Sequence, residues 1–272
     1  MELLLAHVLK LPRLKLYLQF DRVLTVAEID ILRDLVRRRG QREPLQHLTG
    51  SVSFLGHEIR VSKDVLVPRP ETEALAQLAQ SRLKAILRDR PPGSGPVRCL
   101  DFGTGSGCLI IALAAACPEA EFHALDRSPA ALDVARGNAA AQPQPTAIHF
   151  HLGDGFSALV PGLQFDLIVS NPPYIPTAEV ETLDPEVKDH DPRMALDGGA
   201  DGLDFYRRLA AESAAWLPPS GWMLVELGDG QAADATRLFA ERQWQIESVE
   251  KDLSDGERVL IVRRPGSGTA SI

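Results

Sequence analysis

Apolar residues near the start of the chain recur at three- and four-residue intervals, most clearly at Ile29, Leu32, Leu35 and Val36, which is the spacing of one helix face. Thr25 and Glu28 precede that face as Thr-x-x-Glu, a capping-box pattern, so a helix is predicted over residues 25–39. Shorter apolar-rich segments at 2–10 and 14–20 complete a small helical region. From residue 51 the composition becomes strand-like, with 52–55 and 58–61 flanking Gly56 and His57 in the manner of a hairpin. Pro68-Arg69-Pro70 forms a connector, and helical periodicity resumes at 71–87 before the linker-like run Arg90-Pro-Pro-Gly-Ser-Gly-Pro96. Beyond it strands and helices alternate: strands at 97–102, 121–125, 148–152, 165–170, 221–227, 245–250 and 258–263, helices at 107–117, 128–141, 202–216 and 231–242. Ser128 and Pro129 supply an N-cap and a first-turn proline for one of those helices. Such alternation predicts an α/β fold, a mostly parallel sheet of seven strands with helices on both faces, whose ligands gather at the carboxyl ends of the strands. The organisation expected is a helical domain over 1–50, a β-hairpin connector over 51–70 and a larger α/β domain over 71–272, with 264–272 a disordered tail.

At 272 residues and 44% hydrophobic content the chain can bury one large core and a smaller second one. Its net charge of -8 repels polyanions as a whole, so no direct nucleic-acid binding is expected. The one basic cluster, Arg33, Arg37, Arg38, Arg39 and Arg42, falls at the end of a predicted helix, where the macrodipole favours cations. Cys99, Cys108 and Cys117 are odd in number and lack Cys-x-x-Cys spacing, which suggests buried thiols in a cytoplasmic protein and neither disulfides nor a metal site. No run reaches the ~18 apolar residues of a membrane span. A monomer is expected.

The candidate chemistry sits at the strand ends. The first strand of the α/β region runs into Asp101-Phe-Gly103-Thr104-Gly105-Ser106-Gly107, a glycine turn that lets a ligand approach backbone closely. Its spacing differs from the Gly-x-Gly-x-x-Gly of dinucleotide binders, and no P-loop lysine follows. Asp126 ends the second strand, where a carboxylate can accept from both hydroxyls of a ribose or cap the next helix. Asp154 and Phe156 follow the third, placed to meet an adenine amino group and to cover its face. The most informative stretch is Asn171-Pro172-Pro173-Tyr174 after the fourth strand. The prolines hold Asn171 stiffly, and its side-chain oxygen with the Pro172 carbonyl can accept both hydrogens of a planar NH2 group. Tyr174 can lie against that flat group and exclude water. An amide nitrogen is a poor nucleophile, so alignment toward an electrophilic methyl must supply much of the rate, roughly 7 to 11 kcal/mol in favourable cases.

At these residues the sequence resembles the class I methyltransferase superfamily, and within it the release factor glutamine methyltransferase family, PrmC or HemK. Asn-Pro-Pro-Tyr is shared with DNA adenine methyltransferases. More specific are Arg42-Glu-Pro-Leu-Gln-His-Leu-Thr-Gly50, Phe54-Leu-Gly56, Val65-Leu-Val-Pro-Arg-Pro-Glu-Thr-Glu73 and Pro192-Arg-Met-Ala-Leu-Asp-Gly-Gly-Ala-Asp-Gly-Leu203, and the likeness runs over about residues 2–263. It implies a Rossmann-like seven-stranded methyltransferase sheet behind an N-terminal substrate-recognition domain. The cofactor implied is S-adenosylmethionine, with S-adenosylhomocysteine as product. The partner implied is a class I peptide chain release factor, methylated on the glutamine of its Gly-Gly-Gln motif. By matching position, Gly103 to Gly107, Asp126, Phe156 and Asn171 contact the cofactor and Asn171 to Tyr174 hold the glutamine. Two features depart from the family pattern: Phe156 stands where relatives often have Trp, and the first helix opens at the second residue, later than usual. Arg69 and residues 71–73 are expected to position the first helix of the larger domain or to line the site, with no individual roles assigned, and 192–203 is suggested as a lid. The alternatives are an amino methyltransferase acting on DNA or RNA, or one acting on a ribosomal protein glutamine.

Overall fold

The computed structural model describes residues 1–219 and 221–264; the expected disordered tail lies, from residue 265, outside the described residues. Four helices open the chain, α1 (Glu2–Leu9), α2 (Arg13–Leu16), α3 (Val26–Gly40) and α4 (Leu45–Thr49). The capping box is formed as the sequence predicts: Thr25 Oγ1 accepts from Glu28 N–H, and Glu28 Oε2 accepts from Thr25 N–H at 2.8 Å. Leu4, Leu35 and Leu48 form a small core of their own here, with Leu32 and Val36 packed against it.

An antiparallel hairpin follows, β1 (Ser51–Phe54) with β2 (His57–Arg60). It is locked to the larger unit by a buried amide. Asn138, 1% exposed, accepts from Arg60 N–H at 2.9 Å and donates to the carbonyls of Arg60 and Ser106 at 3.0 and 2.8 Å.

The remaining elements are α5 (Thr72–Asp89), β3 (Arg98–Phe102), α6 (Cys108–Ala116), β4 (Glu121–Asp126), α7 (Pro129–Ala140), β5 (Ile148–Leu152) and β6 (Leu167–Ser170). After β6 come two short helices that the sequence pattern does not show, α8 (Thr177–Val180) and α9 (Pro185–Lys188), then α10 (Asp204–Glu212), β7 (Trp222–Glu226), α11 (Ala232–Glu241), β8 (Gln245–Lys251) and β9 (Glu257–Arg263). The predicted helix over 202–216 is shorter than its pattern, because Ser213–Trp216 tightens into a 3₁₀ turn.

The sheet has seven strands in the order β5-β4-β3-β6-β7-β9-β8. Its pairings are parallel from β5 to β7, and β9 runs antiparallel to both its neighbours. Alternate residues feed two cores: Cys99, Phe122, Leu167 and Leu224 point toward α5 and α6, while Leu100, Leu125, Ile168 and Met223 point toward α10 and α11. Helix α6 is buried almost all round, seven of its nine residues, so its composition is apolar on every side. The strand order reverses between β4-β3 and β3-β6, so the loops after β3 and β6 part there and open a crevice. Glu121, His123 and His151 form a hydrogen-bonded row across β4 and β5, with Glu121 also paired to Arg98 at 3.1 Å. All three cysteines are buried and free. Among the described residues, no helix is long and apolar enough to cross a membrane.

Candidate active site

A cavity fills that crevice, walled by Gly103 to Ser106 after β3, Asp126 at the end of β4, Gly153 to Gly155 after β5, and Asn171 and Pro173 after β6. Gly103, Gly105 and Gly107 all have positive φ, between 53° and 81°, a conformation that L side chains rarely adopt. The turn is held from below: Gly103 and Thr104 N–H both donate to the Leu125 carbonyl at 2.9 Å, and Thr104 Oγ1 donates to Asp101 Oδ2 at 2.6 Å. Asp101 is fully buried with its other oxygen unpartnered, and burial raises its carboxyl to about 7.

Asp126 braces the same turn. Its Oδ2 accepts from Gly105 N–H and its Oδ1 from Ser128 N–H, both at 2.9 Å. It does not cap α7; Ser128 does, accepting from Ala131 N–H at 3.2 Å. Each carboxylate oxygen keeps a further lone pair, so Asp126 can still accept from ribose hydroxyls on the cavity wall. Asp154 also lines the cavity, where Arg208 of α10 grips it, donating to Oδ1 at 2.7 Å and to the backbone carbonyl at 2.9 Å. That guanidinium holds the Asp154 carboxyl below its ordinary range. Phe156 is not brought to the wall. It is 2% exposed, its ring 4.8 Å from that of Phe102 and 5.9 Å from that of Trp216, because the short 3₁₀ turn Gly155–Ala158 drives it into the core; Phe102 reaches the cavity in its place.

The turn after β6 starts from Ser170, whose hydroxyl donates to the Phe102 carbonyl at 2.8 Å, so the glycine turn and the Asn-Pro-Pro-Tyr turn share one frame. Asn171 Nδ2 donates to Thr72 Oγ1 at 3.1 Å, which leaves Oδ1 as its free acceptor. Pro172 is buried, and Tyr174 is half-buried with its phenol pushed up to about 12 by burial. Gln231 Nε2 donates to the Tyr174 carbonyl at 2.9 Å.

The stretch around residues 68–73 builds one wall. Pro68, Arg69 and Thr72 line the cavity, and Glu73 Oε1 accepts from Leu55 N–H at 2.9 Å, fixing the hairpin to the start of α5. Arg69 pairs at 2.6 Å with Asp191, whose side chain is 1% exposed, and so anchors the loop that follows. Pro192, Met194 and Ala195 of that loop complete the cavity wall. Gly198 packs against the active turn so closely that a Cβ there would stand 2.7 Å from Tyr174 Cα. Sequence reasoning reached Thr72 only as part of the stretch 71–73 and missed Asp191, Arg208 and Glu226. Only Glu226 carried a signal, as the lone acid in the buried strand Trp222-Met-Leu-Val-Glu226.

The basic cluster is ion-paired, with Arg33 and Arg37 still largely exposed. Arg33 contacts Asp30, Arg37 contacts Asp34, and Arg38 contacts Asp34 and Glu43. Arg39 and Arg42 reach across to the start of α9, Arg39 to Glu186 at 3.0 Å and Arg42 to Glu186 at 2.6 Å and Asp184 at 3.1 Å.

Residues 1–50 match the family model described as PrmC N-terminal domain, and residues 86–184 that described as Methyltransferase small domain. A release factor glutamine methyltransferase of Geobacter sulfurreducens is 44% identical over 239 residues, which is 88% of this chain and 80% of that protein. One of Deinococcus radiodurans is 43% identical over 267 residues, covering 97% and 90% of the two chains. Among solved structures, the Thermus thermophilus 16S rRNA N2 G1207 methyltransferase in complex with AdoMet and guanosine is similar in fold, with a TM-score of 0.53 and 21% identity over 79% of this chain and 49% of that one.

Proposed function

Because the chain belongs to the release factor glutamine methyltransferase family, we infer that it transfers a methyl group from S-adenosylmethionine to the side-chain amide nitrogen of the glutamine in the Gly-Gly-Gln motif of class I release factors. The observation that carries this reading is the fixed Asn171 amide. One hydrogen of its NH2 goes to Thr72, Asn171 lines the cavity, and its side-chain oxygen is the acceptor proposed for an incoming NH2 group.

The cavity suits the cofactor. The glycine turn admits close backbone approach, and Asp126 offers a carboxylate for the ribose. When bound, S-adenosylmethionine supplies an electrophilic methyl group. The chain's own residues then do three things. Asn171 Oδ1 and the Pro172 carbonyl accept the two amide hydrogens and set the nitrogen's face toward that methyl. Tyr174 covers the planar amide, and the Arg69–Asp191 pair keeps the 192–203 loop over the cavity against water. Positioning of this kind is the main resource for a nucleophile with a delocalised lone pair.

Residues 1–50 are the part proposed to recognise the release factor. Each of the five clustered arginines has an acidic partner, so the cluster adds little net positive charge there, which favours a protein substrate over DNA or RNA. The test is incubation with labelled S-adenosylmethionine and, in parallel, a class I release factor, its Gly-Gly-Gln to Gly-Gly-Ala variant, ribosomal proteins, DNA and RNA. Label on the intact release factor and none on the variant is expected; label confined to another substrate overturns the assignment.

A further inference from the structure

Three of the seven histidines gather with one glutamate at the β5 edge of the sheet, a concentration that methyl transfer does not use. Glu121 and His123 are two residues apart on β4 and so point to one face, and the strand register sets His149 of β5 directly opposite His123. Glu121 Oε1 lies 2.9 Å from His123 Nε2, and His151 Nε2 lies 2.9 Å from the other ring nitrogen, His123 Nδ1. The rings of His149 and His151 stack on that of His123 with centroids 4.9 and 5.2 Å away. One ligand atom each from Glu121, His123 and His149 lies within 4.8 Å of the other two. His123 is buried, whereas His149 is exposed. Cys99, Cys108 and Cys117, whose spacing predicts no metal site, belong to the core on the opposite side of the sheet and take no part.

We propose that Glu121, His123 and His149 hold a divalent cation of the zinc class, with His151 orienting the His123 ring from its far side. Two imidazoles and a carboxylate are a donor set for such a cation, and water fills the fourth position from the exposed side. Ligand atoms around a tetrahedral zinc stand roughly 3.3 Å apart, so the set has to close by no more than about 1.5 Å. Buried His123 is the fixed member, and Glu121 and His149, nearer solvent, are the ones that move. Arg98 Nε donates to Glu121 Oε1 at 3.1 Å, the oxygen that also faces His123, which leaves Oε2 for the cation. His123 Nε2 ligates only without its proton. His151 provides for that: with its proton on Nδ1, His123 donates to His151 Nε2 and turns a bare Nε2 to the cation, as the other nitrogen of a ligating histidine is ordinarily held by an outer partner. Burial first, and then the neighbouring imidazoles, hold His123 and His151 below the ordinary histidine range, in the neutral form that ligation uses. The cation would staple the edge strand β5 to β4, just before β5 runs into the Gly153–Gly155 wall of the cavity.

Metal binding by the resting protein is the readout, which keeps the test independent of the release factor assignment. The full chain, without a histidine tag, is stripped with a chelator, dialysed and titrated with Zn2+ by calorimetry, and its melting is followed with and without the ion. One equivalent should bind at micromolar concentration and raise Tm, because the ion binds the folded chain. His149→Gln changes an exposed side chain and should fold as the wild type does; it and Glu121→Gln should each weaken Zn2+ at least about tenfold and lose most of the rise in Tm. His151→Leu removes only the outer partner and should cost about 10- to 100-fold in affinity. His7→Gln, in α1, should bind as the wild type does. Co2+ in place of Zn2+ should give the visible bands of a nitrogen and oxygen site without thiolate charge-transfer absorption. Binding only at millimolar Zn2+ overturns the proposal, as does stoichiometric binding that is unchanged in both His149→Gln and Glu121→Gln. A thiolate band with Co2+ overturns it too, since the ion would then sit on a cysteine.

Discussion

Replacing Asp126 separates two roles that the structure superimposes on one side chain. Its carboxylate accepts from Gly105 N–H and Ser128 N–H at 2.9 Å each, and it also lines the cavity where a ribose would lie. In Asp126→Ala both backbone donors lose a charged acceptor. Hydrogen bonds to charged groups contribute about 1.5–3 kcal/mol each, but Asp126 is only half-buried and water can replace part of the loss, so a total destabilisation of about 1–3 kcal/mol is expected. For a chain of this size that corresponds to a fall in Tm of roughly 2–10 °C. The ribose contacts, lost separately, should weaken S-adenosylhomocysteine by about 1–3 kcal/mol, or roughly 5- to 150-fold in Kd. Titration calorimetry with S-adenosylhomocysteine and a thermal melt without it measure the two effects independently. Asp126→Asn, which keeps one acceptor oxygen, should fall between wild type and Asp126→Ala in both. A melt lowered as expected beside an unchanged Kd would show that Asp126 only braces the glycine turn, and the cofactor role given to it would be wrong.

Asn171→Ala should lower kcat by a hundredfold or more while the Kd for S-adenosylhomocysteine changes little, since the acceptor it removes serves mainly the aligned state; full turnover in that variant sinks the amide clamp. Gly198→Ala places a Cβ 2.7 Å from Tyr174 Cα and must displace the active turn, so activity should fall several-fold with cofactor affinity retained, and normal kinetics would show that the loop yields instead. Asp101 and Glu226 both have folded-state carboxyls raised by burial to about 7, so the folded protein binds more protons than the unfolded chain between about pH 4 and 7. Their contribution to stability is therefore largest below about pH 4 and declines as pH rises to about 7, by up to about 1.4 kcal/mol per pH unit for each group, and is level above that. Denaturant melts from pH 5 to 8 should show Asp101→Asn and Glu226→Gln each flattening this slope; an unchanged slope in both contradicts the burial argument.

The α/β architecture was readable because its cause is local. Strands that alternate between two cores, and a helix such as α6 that is apolar on every side, write their burial directly into residue type. The glycine turn, Asp126 and Asn171 were readable for a related reason: in a parallel sheet the chain itself delivers every strand end to one edge, so sequence position predicts proximity. Phe156 lay beyond that logic, because whether an aromatic ring after β5 faces a ligand or the core depends on a 3₁₀ turn and on Trp216, sixty residues away in the chain. Thr72, Asp191 and Glu226 lay beyond it too. They come from a helix start, a loop and a strand on different stretches of the chain, and only packing makes Thr72 the partner of Asn171 or Asp191 the partner of Arg69. The arginine cluster shows the same division: the sequence determined that positive charge gathers at the end of α3, and the tertiary structure alone decided that Arg39 and Arg42 meet Glu186 and Asp184. Composition and periodicity are local sums and survive without a fold, whereas a hydrogen bond between residues a hundred positions apart exists only once the backbone has brought its donor and acceptor together.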